Sequence, residues 1–200
     1  MANGYIDSGI LDRAIVFAVR AHHDTERRGK GFPYIVHPLE AVSIVATMTS
    51  DQELLAAAAL HDVVEDTDVT LEELRREFGE RVAGLVEIES DKSVPGRNEH
   101  ESWLIRKHAA IERIAAAPFE AKIVALGDKL SNMRAIARDY DEIGDRLWSR
   151  FHAPGGRTDL EWRYRSLAKA LSALEGTHAY AEFVMLIDHV FGPAAPTALS

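Results

Sequence analysis

There is no cysteine among the 200 residues. Disulfides, thiolate metal sites and cysteine nucleophiles are thereby excluded, and any metal ion must be held by histidine nitrogen and carboxylate oxygen. Positive charge is also scarce: 23 lysines and arginines stand against 32 aspartates and glutamates, a formal charge of −9. Such a surface repels a phosphate backbone as a whole, so nucleic acid is not an expected partner, and an anionic ligand needs its cations gathered in one place. Long apolar runs are missing as well. The longest, Leu54 to Leu60, is far too short to span a bilayer, and the opening MANGYIDSGI lacks the basic start and apolar stretch of a secretory leader. These absences lead to the expectation of a cytoplasmic protein with no membrane partner.

What is present is enough apolar residue, 46%, for one buried core. The expected organisation is a single domain over residues 1–192 with a frayed tail, PAAPTALS, over 193–200. Leu11, Ile15, Ala18, Val19 and His22 share one stripe at helical spacing, with Asp7 or Ser8 as the cap. TERRGKGFPY reads as a loop before His37, and Pro38 suits the first turn of a second helix. Asp51 can cap a third helix through LLAAAALHDVVED, ending near Asp66. Thr70 and Glu73 form a capping box for LEELRREF, Gly79 closes it, and RVAGLVEIE starts another helix. SDKSVPGRNEH reads as a second loop. SWLIRKHAAIERIAAA and EAKIVALGDKLSNMRAIAR both keep an apolar period near four, separated by Pro118, and two last helices are expected around 163–174 and 180–190. No strand pattern persists, so the fold class is all-α, a helical bundle of about eight to ten helices.

The chemistry concentrates in HDVVED. His61 and Glu65 are four apart, as are Asp62 and Asp66, so one helical turn sets an imidazole and three carboxylates on adjacent rows. Packing like charges behind a run of leucine and alanine raises their pKa values unless a cation sits among them. Asp128 lies on the row of Ala121, Val124 and Asn132, largely apolar upstream, beside a glycine that lets another backbone come close. His37 stands at a helix entrance. Taken singly, these are equally a solvated acidic helix end, a partly buried aspartate and a capping histidine.

Together, His37, His61, Asp62 and Asp128, followed by Asn132, have the order and approximate spacing of the HD phosphohydrolase motif. AHHDTERR, PYIVHPLEAV, AAALHDVVEDTDVTLEEL, FGERVAGLVE, DKSVP and KIVALGDKLSNMRAI together resemble the hydrolase domain of the RelA/SpoT alarmone enzymes over residues 10 to 140. The short, hydrolase-only members, the small alarmone hydrolases, are the most similar. The resemblance implies an HD-domain bundle in which His37, His61, Asp62 and Asp128 bind the metal, usually manganese. It puts Glu65 and Asp66 beside the nucleophilic water, and Arg27, Arg28, Lys92 and Asn132 on a small phosphorylated nucleotide. The residues alone leave manganese, iron, zinc and magnesium open. The implied reaction removes pyrophosphate from the ribose 3′ position of guanosine tetra- or pentaphosphate.

Ser131 and Ala135 depart from the long enzymes, which have histidine at the first position and often threonine at the second. Without a polar side chain at Ala135, an adenosine substrate such as ppApp or pApp stays an alternative. So do another HD-type nucleotide hydrolase, an NADPH phosphatase and, outside catalysis, a ligand-sensing module. Arg163 and Tyr164 are further candidates for substrate contact, while His22 reads as a satisfied core histidine.

Overall fold

In the computed structural model, residues 9–27, 30–90 and 99–193 are described, the first three residues of the last span by backbone alone. Asp7, Ser8, Arg28, residues 91–98 of the second loop with Lys92, and the tail from 194 on lie outside the described residues. Ten α-helical segments and two 3-10 segments fill the described chain: α1 Gly9–Ala21, α2 Val36–Val45, α3 Gln52–Leu60, α4 Val63–Asp66, α5 Leu71–Phe78, α6 Glu80–Glu89, α7 Glu99–Ala116, α8 Phe119–Ile143, α9 Arg157–Ala170 and α10 His178–Phe191, with 3-10 turns at Gly144–Arg150 and Ser172–Leu174. Among the described residues the one β-type pairing is an isolated bridge between Glu26 and Pro33. The all-α bundle expected from periodicity is what forms.

Helix α3 is the hub. Every residue from Leu54 to Leu60 is buried, and the four alanines let α1, α2, α6 and α8 all pack against it. Its start is fixed by Asp51, whose carboxylate accepts from the Glu53 amide at 3.0 Å and also receives Arg81 from α6 at 2.7 Å. Arg81 reaches Glu53 and Glu120 as well, tying α6 to the entrances of α3 and α8. The long helix α8 is the second spine, lying on α2, α3 and α10. Gly127 lets α2 approach it: a Cβ there would stand 2.6 Å from a Val45 methyl and 3.0 Å from the Ala41 carbonyl oxygen. This is the close backbone approach expected beside Asp128.

Two local expectations are corrected. The helix read as continuous from Asp51 to Asp66 is broken at His61 and Asp62, which form a turn between α3 and α4. The His61 ring takes the Ala58 carbonyl at 2.8 Å, a side chain competing for a backbone acceptor of the helix. The last two helices start before their expected bounds, and α9 ends at Ala170, short of 174. Thr177 caps α10 by accepting from the Tyr180 amide at 3.2 Å, and α9 begins at Arg157, directly after Gly156 at φ +56°.

Candidate metal centre

The break after α3 turns His61 and Asp62 toward α2 and α8, where His37 and Asp128 wait. His37, His61 and Asp128 form a buried trio whose ligand atoms lie within 4.8 Å of one another, and Asp62 Oδ2 adds a fourth. His61 Nε2 is 2.9 Å from Asp62 Oδ2 and 3.5 Å from Asp128 Oδ1. His37 Nε2 is 3.4 Å and 3.1 Å from the same two oxygens, and the two Nε2 atoms are 3.2 Å apart. Ligands about 2.1 Å from a common ion are separated by about 3.0 Å along an octahedral edge and about 3.4 Å along a tetrahedral one. The five separations fall on those edges.

The protonation pattern agrees. A backbone carbonyl only accepts, so His61 Nδ1 carries the proton it gives to Ala58 and leaves the Nε2 lone pair facing inward. Ser131 Oγ donates to Glu40 Oε2 at 2.8 Å and therefore accepts from His37 Nδ1, also at 2.8 Å. Both imidazoles are thus oriented by a partner on the far nitrogen, the usual support of a metal-binding histidine. Two inward lone pairs and two carboxylates in contact repel one another and call for a positive charge. In the protein alone a proton answers: burial pulls the His61 pKa down, but Asp62 and Asp128 outweigh it and hold it well above the ordinary value. Burial pushes both aspartates up, yet His61 with the histidine hydrogen bonds on Asp62, and Lys129 with His61 on Asp128, hold each well below the carboxylate range. The donor set fits a divalent cation in that proton's place.

His37, Asp62 and Asp128 line the floor of a pocket of about 750 Å³, and His61 packs against them. Tyr34 donates to Asp62 Oδ2 at 2.6 Å. Burial and then the charges of Asp62 and Asp66 raise its pKa, so it stays a donor. Asn132 donates to Asp128 Oδ1 and accepts from Arg27 Nη2, each at 2.5 Å. Arg27 also lies over the Tyr34 ring, its guanidinium carbon 5.2 Å from the centroid. The hydrogen bonds Arg27 N to Phe32 O and Tyr34 N to Thr25 O fold the loop that delivers both residues. Glu65 and Asp66 are exposed and line the pocket with Lys30, Lys107, Arg150 and Arg163. Loss of water around the carboxylate at the pocket wall, and then the Asp62 charge, raise the Asp66 pKa.

Sequence reasoning did not single out Tyr34, Glu40 or Lys129, and it marked Ser131 only as a departure. Tyr34 and Glu40 each stand three residues from His37, one helical turn away, and Lys129 adjoins Asp128; that proximity was the available signal. Tyr164, named as a candidate, is buried in the pocket wall beside Arg163. His22 is buried behind Tyr34, with ring centroids 4.8 Å apart. It is not the satisfied core histidine expected, because neither ring nitrogen has a hydrogen-bond partner among the described residues.

Comparison with known proteins turns on the same elements. The HD domain model matches residues 14–153, a span running from α1 past α8 that contains His37, His61, Asp62 and Asp128. The chain belongs to the HD domain family. Within it, this HD protein is 35% identical over 185 residues to human MESH1, a guanosine-3′,5′-bis(diphosphate) 3′-pyrophosphohydrolase, covering 90% of this chain and 92% of the human one. It is 35% identical to the Aquifex aeolicus enzyme of the same activity name over 78% of this chain and 24% of that longer protein. The structure of a Listeria monocytogenes protein superposes with a TM-score of 0.68 at 27% identity, covering 78% of this chain and 99% of its own. That of a metazoan ortholog of SpoT that hydrolyses ppGpp gives 0.66 at 25%, covering 91% and 93%. An HD domain carrying this trio implies a divalent metal ion.

Proposed function

We propose that this protein is a manganese-dependent hydrolase that removes pyrophosphate from the 3′ position of guanosine 3′,5′-bis(diphosphate) and its 5′-triphosphate counterpart, releasing GDP or GTP. The observation that carries the reading is the floor geometry: two inward Nε2 atoms and two carboxylate oxygens at shell-edge spacing, under a pocket of nucleotide size lined by basic side chains. The extent of the match to human MESH1 supports it. His37, His61, Asp62 and Asp128 hold the ion. Bound there, a divalent cation supplies the charge that lowers the pKa of water and polarises a phosphoryl oxygen.

The chain's own groups do the rest. Glu65 and Asp66 orient the attacking water and take its proton; a carboxylate raised above its usual range is a better acceptor near neutral pH. Tyr34 fixes the orientation of Asp62 by its hydrogen bond. Arg27 and Asn132, already bonded to each other, meet the substrate's phosphates, with Arg28 and Lys92 joining them by resemblance. Charge-assisted contacts of this kind place phosphorus for in-line attack without a protein nucleophile. Ala135 lines the pocket and offers the base no side-chain hydrogen bond, which keeps the adenosine counterpart as the second reading.

The test presents ppGpp, ppApp and NADPH to manganese-loaded and to chelated protein and identifies the products. Metal-dependent release of pyrophosphate from ppGpp is the expected result, and the faster of the first two substrates settles the base. Intact ppGpp and ppApp in the presence of metal-loaded protein would overturn the assignment, and phosphate release from NADPH alone would replace it.

A further inference from the structure

The reaction outlined above leaves two acidic groups of the pocket wall without a role, Asp139, which pairs with Lys30, and Glu89. Glu89, the last residue of α6, has a side chain only 2% exposed. Its Oε2 accepts from Lys129 Nζ at 3.0 Å, while its Oε1 is buried with no hydrogen-bond partner among the described residues. A carboxylate buried with one oxygen orphaned is a poor device for stability, since an apolar residue of similar volume avoids the desolvation cost. What Glu89 does achieve is to fix Lys129, whose flexible stem and three donors otherwise leave the ammonium free to take several positions.

Lys129 spends a second donor on Asp128 Oδ2. The two oxygens of Asp128 are therefore divided. Oδ1 faces His37 at 3.1 Å and His61 at 3.5 Å and receives Asn132, whereas Oδ2 is turned to the ammonium, which Glu89 grips from its other side. We propose that Glu89 is a positioning residue: by pinning Lys129 against Asp128 Oδ2, it restricts Asp128 to one oxygen toward the metal. The inference rests on the metal-site reading given above. Its chemical consequence is coordination number. An aspartate with both oxygens free closes onto an ion with two bonds and fills a position that water or a phosphoryl oxygen requires; an aspartate held by Lys129 and Glu89 leaves that position open.

The test uses the cobalt-loaded full chain, whose visible absorption weakens as coordination number rises and which reports the site without any nucleotide. Four proteins are compared: wild type, Glu89→Gln, Glu89→Leu and the Glu89→Leu/Lys129→Met double variant. The glutamine keeps an acceptor for Lys129, so its spectrum is expected to match wild type. The leucine releases the ammonium and the double variant removes it without stranding a buried charge, so both are expected to show weaker bands. In pyrophosphate release with manganese, kcat is expected to fall about tenfold or more in these two, the scale of a lost support to a metal ligand, with KM little changed. A wild-type spectrum in the double variant overturns the inference. A changed double variant with an unchanged Glu89→Leu assigns the effect to Lys129 alone and overturns the role of Glu89. Wild-type protein that takes up no cobalt removes the metal-site reading, and this inference with it.

Discussion

Replacing Ser131 by alanine deletes one hydroxyl and tests how the centre is oriented. In the native protein that hydroxyl accepts from His37 Nδ1 and donates to Glu40 Oε2, both at 2.8 Å, and His37 is only 4% exposed. Without it, the Nδ1 proton is a buried donor lacking an acceptor, a state costing about 1–3 kcal/mol. The metal-free protein escapes most of that cost by moving the proton to Nε2, where Asp128 Oδ1 at 3.1 Å accepts it. The escape occupies the lone pair that the ion needs, so the cost reappears on metal binding. Loss of a partner behind a metal-binding histidine typically weakens affinity about 10- to 100-fold, or about 1.4–2.8 kcal/mol. Calorimetric titration of manganese into wild type and Ser131→Ala reads this directly. Unfolding with and without metal gives an independent measure, because the stability conferred by a saturating ligand falls by the same amount as its binding energy. The expected pattern is a small change in the metal-free midpoint and a distinctly smaller rise on adding manganese. An affinity within twofold of wild type would refute the orienting role and leave the hydroxyl as packing.

Gly127→Ala drives a Cβ into the Val45 methyl and the Ala41 carbonyl; α2 must move off α8, with a loss of about 1–3 kcal/mol in thermal stability and weaker manganese binding, because His37 and Asp128 ride on those helices. Asp66→Asn is expected to keep metal affinity and lower kcat about 100-fold or more. Wild-type activity should decline with falling pH as Asp66 takes up a proton at a pKa above its ordinary 3.8, and this limb should be missing from whatever activity the asparagine variant retains. Asp51→Ala removes the α3 cap and the Arg81 pair, with an expected loss of about 1–2 kcal/mol. The Arg81 hydrogen bond holds Asp51 below its ordinary 3.8, so the native contribution is present above that value and lost as pH falls through the lower folded one. Stability curves for the two proteins should therefore converge in acid; parallel curves would discard the ion-pair argument.

The parts of this molecule that the chain announces are those with local periodicity. Apolar spacing marked the helices, and the floor residues were marked by motif because each sits among its own neighbours. The turn at His61 and Asp62 was not announced: the spacing fits a helix, and the competition of the His61 ring for the Ala58 carbonyl appears only in the folded chain. Pairings across helices were hidden for a different reason. Ser131 meets His37 across 94 positions, and Lys129 meets Glu89 across 40; nothing in the local pattern couples them. Arg27 with Asn132 was anticipated only as two separate substrate contacts, and their mutual hydrogen bond comes from the folded loop. The expected contacts Arg28 and Lys92 lie outside the described residues.

The wall of the pocket has a consequence for the order in which ligands arrive. Among the described residues, Arg27, Lys30, Lys107, Lys129, Arg150 and Arg163 are six cations, and Asp62, Glu65, Asp66, Glu89, Asp128 and Asp139 are six anions. The cavity is thus close to neutral inside a protein of charge −9, and by itself exerts little long-range pull on a phosphate. A divalent ion at this site, taking the place of the proton on His61, shifts the balance by one further positive charge. Charge selection at the mouth is therefore expected to strengthen on metal uptake, so that the ion would contribute to electrostatic steering as well as to bond cleavage.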